Sequence, residues 1–158
     1  MADPGIADIY HYEQMADWLG TSGQPERAQF KAIADAGYDA VVNLALPTSD
    51  NAIADEGSVV TALQMSYYHI PVKFDAPTID DLRTFFGVMR ALDGKKVWVH
   101  CVVNARVSAF VYHYLRFEKG VDETAARSSL LSRWEPQMDE VWRRFLDLSP
   151  ASVSGSVT

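Results

Sequence analysis

The sequence predicts an α/β fold, a mostly parallel sheet flanked by helices on both faces. The first observation is alternation. Apolar runs of strand length at residues 39–46, 67–72 and 97–99 are separated by segments of helical period. Strands that are apolar on both sides need a helical layer against each face of the sheet. The second observation is the clarity of one helix, in which Leu82, Phe85, Phe86, Met89 and Leu92 recur at i, i+3, i+4 and i+7. The third is a cysteine, Cys101, placed where a strand gives way to a helix. Open α/β sheets bind ligands at that end of the strand.

Taken in order, residues 7–12 read as a short first strand and residues 15–19 as a single helical turn. The segment Gly20-Thr21-Ser22-Gly23-Gln24-Pro25 reads as a turn, and Pro25 opens a helix where its missing N–H costs nothing. That helix carries Ala28, Ile33 and Ala36 on its apolar side and stops at Gly37. Residues 39–46 form a buried strand ended by Pro47, and a polar loop leads to a helix at 55–64 and a strand at 67–72. Thr78 reads as an N-cap with Asp81 at the third helical position, as in a capping box. Gly94 ends this helix before the strand that leads into Cys101. Helices follow at 108–118, 122–131 and 138–148. One domain over residues 1–148 is expected, and the small, polar residues 149–158 are expected to be a disordered tail.

The composition narrows the function. A chain of 158 residues with 48% apolar residues fits one well-packed domain. A formal net charge of −7 argues against binding nucleic acid or an anionic membrane, both of which favour a basic face. It leaves room for a phosphorylated ligand, because one loop with one arginine can hold one phosphate. A single cysteine excludes an internal disulfide, and the first residues carry no basic leader, so a cytoplasmic setting is expected. The four histidines show no metal-ligand spacing, and neither a metal nor another cofactor is expected.

The chemistry concentrates in His100-Cys101-Val102-Val103-Asn104-Ala105-Arg106-Val107-Ser108. Backbone N–H groups of a loop entering a helix form an anion cradle, and the helix dipole adds to it. The same field favours thiolate over thiol, and an arginine fork can hold two phosphoryl oxygens. The segment resembles the protein tyrosine and dual-specificity phosphatase signature, His-Cys, five variable residues, then Arg-Ser/Thr. His100, Cys101 and Ser108 stand where that signature has them. The arginine comes one residue early, at Arg106, and Val107 fills its usual position. Asn104 replaces the loop glycine, as Asn adopts positive φ more readily than other residues with a side chain.

Beyond the loop the chain resembles a bacterial branch of this superfamily, the group related to the domain fused to some β-lactamase-like hydrolases. The matching segments are Ser22-Gly23-Gln24-Pro25, Val41-Val42-Asn43-Leu44, Asp55-Glu56, His69-Ile70-Pro71-Val72 and Trp134-Glu135-Pro136, besides the loop itself. Together they span residues 9–145. In that branch the four-residue spacing between Cys and Arg is the usual form. The resemblance implies a cysteine-phosphatase-like sheet and hydrolysis of a phosphate monoester, on a phosphorylated protein or a small phosphorylated metabolite. A rhodanese-like sulfurtransferase, whose loop has a similar length, and a phosphate-binding module without turnover are the alternatives.

Cys101 is then the candidate nucleophile and Arg106 the phosphoryl-binding residue, with Val102, Val103, Asn104, Ala105, Arg106 and Val107 as the phosphate-binding loop. His100 points to the opposite face from its neighbour and resembles the histidine that braces the loop. Ser108 either donates to the sulfur or caps the helix. Asp75, in a loop upstream of the nucleophile, is the candidate general acid by resemblance. Asp80 and Asp81 compete with it, although their place in a first helical turn explains them without catalysis. Asp55 and Glu56 are most simply a solvated helix start. Trp134, Trp142, Tyr112 and Tyr114 are expected in the core, and one of Tyr67 and Tyr68 is expected to face solvent or the cleft. Because Val107 is in register with Phe110, Val111 and Tyr114, the loop is expected to be one residue short and the helix to begin early. Arg106 would then face the ligand and Val107 the core.

Overall fold

Trp98 shows how the sheet is built. It lies on β5 (Val97–His100), and its ring is fully buried. On the neighbouring strand β2 (Leu19–Ser22) stands Gly20, where a Cβ would come within 2.6 Å of that ring and 2.7 Å of the Tyr38 hydroxyl. The strand is small-residued because a tryptophan occupies its space. The computed structural model describes residues 5–154 and places five strands in one sheet. With β1 (Glu13–Ala16), β3 (Ala40–Asn43) and β4 (Ser66–His69), the order is β1-β2-β5-β3-β4. Only the β1–β2 pair is antiparallel, so the mostly parallel α/β sheet read from the sequence is the one formed.

Alternation along the strands divides the core in two. Leu19, Val42, Val97 and Val99 face one side, where they meet α3 (Ile79–Ala91) and α4 (Ala105–Phe117) through Phe85, Met89, Val107 and Phe110. Val41 and Trp98 face the other, against Phe30 and Ile33 of α1 (Gln29–Asp35) and Val60 of α2 (Glu56–Ala62). The C-terminal α5 (Glu123–Ala126), α6 (Ser129–Trp134) and α7 (Glu140–Leu146) join the first layer, which buries Leu131, Trp142 and Phe145. No helix among the described residues is long and apolar enough to cross a membrane.

Several elements differ from the sequence reading. Residues 7–11 form turns rather than a strand, and the strands β1 and β2 occupy residues assigned to a helical turn and a loop. Their brevity, and the glycine opposite Trp98, hide the period-2 pattern. α1 begins four residues after Pro25. The helix expected at 122–131 is broken: Arg127 and Ser128 are extended, and the Ser128 hydroxyl accepts from Leu131 N–H to start α6 afresh. The expected tail is ordered in its first half as α8 (Pro150–Ser154). Val153 is buried there, and Arg83 on α3 donates from Nε to the Val153 carbonyl at 2.6 Å. Residues 155–158, like residues 1–4, lie outside the described residues. The Thr78–Asp81 capping box forms as read.

Two outcomes test this packing. His113 on α4 is fully buried and donates from Nε2 to the Phe145 carbonyl at 2.8 Å, while its Nδ1 has no partner. Burial outweighs that bond and lowers its pKa from 6.5 to about 4. Below 6.5 the unfolded chain takes up a proton that the folded chain refuses, so stability falls as pH drops towards 4. The full effect is about 3 kcal/mol. Urea midpoints measured from pH 7 to 4 should show this slope in the wild type and a flatter one in His113→Gln; equal slopes would remove the assignment. Val107 is also fully buried. Val107→Arg should cost more than about 3 kcal/mol by burying an unpaired charge, measured as loss of a cooperative melting transition near the wild-type temperature.

Candidate active site

The parallel ladders bring three strand ends together. β5 lies between β2 and β3, with Ser22 and Asn43 both opposite His100. The hydrogen-bond pattern continues past the strands, from Cys101 N–H to the Ser22 carbonyl (3.3 Å) and from Leu44 N–H to the His100 carbonyl (2.8 Å). Cys101 therefore emerges at the C-terminal end of the central strand, fully buried among the residues of the α3–α4 layer.

From Cys101 the chain turns through residues 101–104 and enters α4 at Ala105. Asn104 makes this abrupt turn possible with φ of 74° and ψ of 7°, a left-handed conformation that Asn tolerates. Its Nδ2 donates to the His11 carbonyl (2.9 Å) and to Thr21 Oγ1 (3.2 Å), which fixes the corner. Ala105, Arg106 and Val107, read from the sequence as loop, are thus the first helical turn. The loop is short, and Val107 enters the core.

The carbonyls of the loop are held from outside. Cys101 O accepts from His100 Nδ1 at 3.2 Å, Val102 O from the Gln24 N–H at 3.0 Å, and Val103 O from His11 Nδ1 at 2.7 Å. In a planar trans peptide the N–H opposes the C=O, so N–H groups of Val102, Val103 and Asn104 point away from these partners. Successive N–H groups turned from the scaffold are the kind of arrangement that can cradle an anion, and these lie beside the start of α4. Gly23 is a condition of this approach: a Cβ there would lie 2.5 Å from Val102 O.

Arg106 is buried, 6% exposed, and donates from Nη1 to the Val72 carbonyl at 2.8 Å. Its Nε is buried without a partner, and its guanidinium carbon lies 5.8 Å from the Phe74 ring centroid. Arg106 therefore underpins the loop between β4 and α3 that carries Asp75. The Phe74 carbonyl in this loop accepts from Trp142 Nε1 (2.7 Å), and the Phe74 ring packs on Trp134 and Trp142. Asp75 itself is exposed at the turn. Asp81 is used in the capping box and Asp80 pairs with Arg83 at the surface, so both are accounted for by α3.

Other expectations resolve as follows. Ser108 lies inside α4 and donates to the Ala105 carbonyl at 2.6 Å; Asn104 takes the cap position instead. His100 faces away from the α3–α4 layer, with its ring 6.1 Å from that of Phe30. Trp142, Tyr112 and Tyr114 are core, Trp134 is half-buried, and Tyr67 and Tyr68 on the edge strand are both half-buried. Asp55 is a solvated helix start paired with Arg27, but Glu56 is not. Glu56 is 3% exposed, with Oε2 at 2.6 Å from His100 Nε2 and Oε1 accepting from Gln24 Nε2 at 2.9 Å. Burial alone would raise its pKa; the bond and charge of His100, then Gln24 and His69, bring it below the ordinary value. An acidic residue at the start of a helix is favoured by the dipole wherever it points, so the linear sequence carries no signal for its burial. Nor did it signal His11, which reaches the loop from 92 residues away.

No group of three or more His, Cys, Asp or Glu side chains among the described residues is placed to hold a metal. A cavity of about 450 Å³ beside Trp18, Asp39, Met89 and Lys96 lies at the N-terminal end of the parallel strands, away from Cys101.

No protein-family model and no curated protein matches the chain. Solved structures do. A candidate phosphatase (DUF442) from Shewanella putrefaciens CN-32 is similar at 34% identity with a TM-score of 0.82, covering 90% of this chain and 92% of its own. TpbA of P. aeruginosa, solved with pTyr, is 19% identical with a TM-score of 0.63, over 99% of this chain and 88% of its own. The core catalytic domain of the PP-IP phosphatase SIW14 from S. cerevisiae, solved with citrate, is 10% identical with a TM-score of 0.69, over 89% and 86%. The latter two share the fold. With one-third identity over nine-tenths of both chains and a TM-score of 0.82, this chain belongs to the DUF442 family, a bacterial branch of the protein tyrosine and dual-specificity phosphatase fold.

Proposed function

We propose that the protein is a cysteine-dependent phosphatase that hydrolyses phosphate monoesters through a cysteinyl-phosphate. The observation that carries this reading is the loop after β5. Its three carbonyls are tied back, its N–H groups are turned to the other side, and the buried Arg106 Nε lacks a protein partner. A phosphoryl group bound there would accept from the loop N–H groups and from the arginine. TpbA, of like fold, has been solved with pTyr, which supports a phosphorylated ligand for this fold.

In this mechanism the Cys101 thiolate attacks phosphorus, and the ester oxygen departs with the proton of the Asp75 carboxylic acid. A water molecule, losing its proton to the Asp75 carboxylate, then attacks the cysteinyl-phosphate. The thiolate is released with inorganic phosphate. Arg106 and the loop N–H groups hold the equatorial oxygens throughout, where charge changes least in position and most in distribution. Arg106 also supports the Asp75 loop through Val72, which couples phosphate binding to the position of the acid. A phosphorylated protein or a small phosphorylated metabolite is the substrate class, and the cytoplasm its setting.

Cys101→Ser should abolish hydrolysis of para-nitrophenyl phosphate while retaining binding of inorganic phosphate by calorimetry, whereas Arg106→Ala should lose both. Turnover surviving in Cys101→Ser would exclude the covalent route, and wild-type transfer of sulfur from thiosulfate to cyanide without phosphate ester cleavage would replace it with a sulfurtransferase. Asp75→Asn should slow an alkyl phosphate by about a hundred- to ten-thousand-fold and para-nitrophenyl phosphate much less, since only the poor leaving group needs the proton. Equal, small effects on the two esters would return the acid's role to another residue.

A further inference from the structure

The Glu56–His100–Gln24 cluster is not explained by packing alone. Two ionisable side chains, 3% and 0% exposed, meet at 2.6 Å beneath the loop. Burying such a pair costs several kcal/mol per ion before any attraction is recovered, and apolar residues of similar size would often serve stability as well. The cluster also touches the loop twice. His100 reaches the Cys101 carbonyl, and Gln24, whose side chain is held by Glu56, gives its backbone N–H to the Val102 carbonyl.

The hydrogen-bond partners determine the state of the imidazole. A carbonyl can only accept, so His100 Nδ1 carries a proton. A carboxylate can only accept, so beside an ionised Glu56 the geometry favours a proton on Nε2 as well, which is the imidazolium form. The groups around it favour this arrangement. Glu56 from α2 supplies the negative charge, and Asp55 beside it is at the surface with its charge engaged by Arg27. From β4, His69 donates from Nε2 to the Ala45 carbonyl, and Tyr67, half-buried, accepts from Asn43 of β3. Burial, largest among several effects that include the Glu56 charge and a hydrogen bond to Glu56, pushes the Tyr67 hydroxyl up to about 12, so it stays a neutral donor beside the same carboxylate.

We propose that Glu56 is a positioning residue for the reaction of Cys101: one carboxylate oxygen keeps His100 a charged double donor and the other anchors Gln24, tying back two successive loop carbonyls and placing a positive charge beneath the nucleophile. This inference rests on Cys101 being the reactive group. Glu56 touches neither Cys101 nor the phosphate-binding groups. It acts through His100 and Gln24, from the helix α2 on the face of the sheet that carries Val41 and Trp98. The pair is shielded from solvent, so its effect should change little with salt.

The test uses two readouts on the full chain. The first is the pH dependence of Cys101 alkylation by iodoacetamide, which needs no substrate and no turnover. In Glu56→Gln the amide preserves size but not charge, His100 gives up a proton more readily, and the thiolate loses its neighbour. Alkylation at pH 6 should fall by about tenfold relative to wild type, with the profile moved by about one pH unit towards alkali. Glu56→Asp, charged but shorter, should recover part of the loss. The acid limb of kcat/KM for para-nitrophenyl phosphate should move in the same direction. The second readout is on the wild type, in case the variant does not fold: ring nitrogen NMR of His100 should show both nitrogens protonated at pH 7. A neutral His100 ring, or a folded Glu56→Gln with an unchanged alkylation profile, overturns the proposal. Wild-type protein that alkylates as described but hydrolyses no phosphate ester overturns the phosphatase reading and leaves the role of Glu56 standing.

Discussion

The site depends on the need to satisfy backbone carbonyls where a central strand ends. β5 has parallel neighbours on both sides, so when its chain leaves the sheet at Cys101 the ladders must be terminated by something other than another strand. Each of the next three carbonyls finds an external donor, from a side chain of β5 itself, from the backbone after β2, and from the N-terminal segment. Buried polar groups must be paired, but here the pairing also has a direction. Carbonyls drawn outward leave N–H groups turned inward. The same hydrogen bonds that complete the sheet therefore prepare the loop for an anion.

Around this loop, different kinds of force hold different parts. The N-terminal segment is attached by polar contacts: Gly23 N–H to the Tyr10 carbonyl, Asn104 Nδ2 to the His11 carbonyl, and Thr21 Oγ1 to the Glu13 carbonyl. The Asp75 loop is held by aromatic packing on Trp134 and Trp142 and by one arginine bond. A buried ion pair lies below. These arrangements differ in their rigidity. The Glu56–His100 contact is short and shielded from water, whereas Asp75 stands exposed on a turn. In the proposed mechanism, an acid that must meet a leaving group benefits from exposure, and a nucleophile that must not move benefits from a fixed base.

The one-residue contraction between Cys101 and Arg106 has a simple structural resolution. One residue on a helix is a rotation of about 100°. Starting α4 directly after a left-handed Asn104 lets Arg106 project towards the β4–α3 loop while Val107 takes the inward face with Phe110. The shorter loop and the early start of the helix together absorb the difference.

Much of this was written in the linear sequence, where the physics is local. The period of Leu82, Phe85, Phe86, Met89 and Leu92 specified α3, Thr78 and Asp81 specified its start, and the apolar Val97–Val99 before a cysteine specified the strand and the position of the loop. Val107 declared its burial by its register with Phe110 and Val111. What the sequence did not carry were relations between distant residues. β2 was invisible because Gly20 is small only in answer to Trp98, 78 positions on. Ser108 looked like a cap because the actual start of α4, after Asn104, depends on a left-handed turn braced by His11 and Thr21. Glu56 looked like an ordinary helix start, and only the fold brings it against His100. Periodicity and capping act within a few residues and can be read along the chain, but the charge and direction of groups beneath Cys101 are set by which strand ends meet, and that is decided in three dimensions.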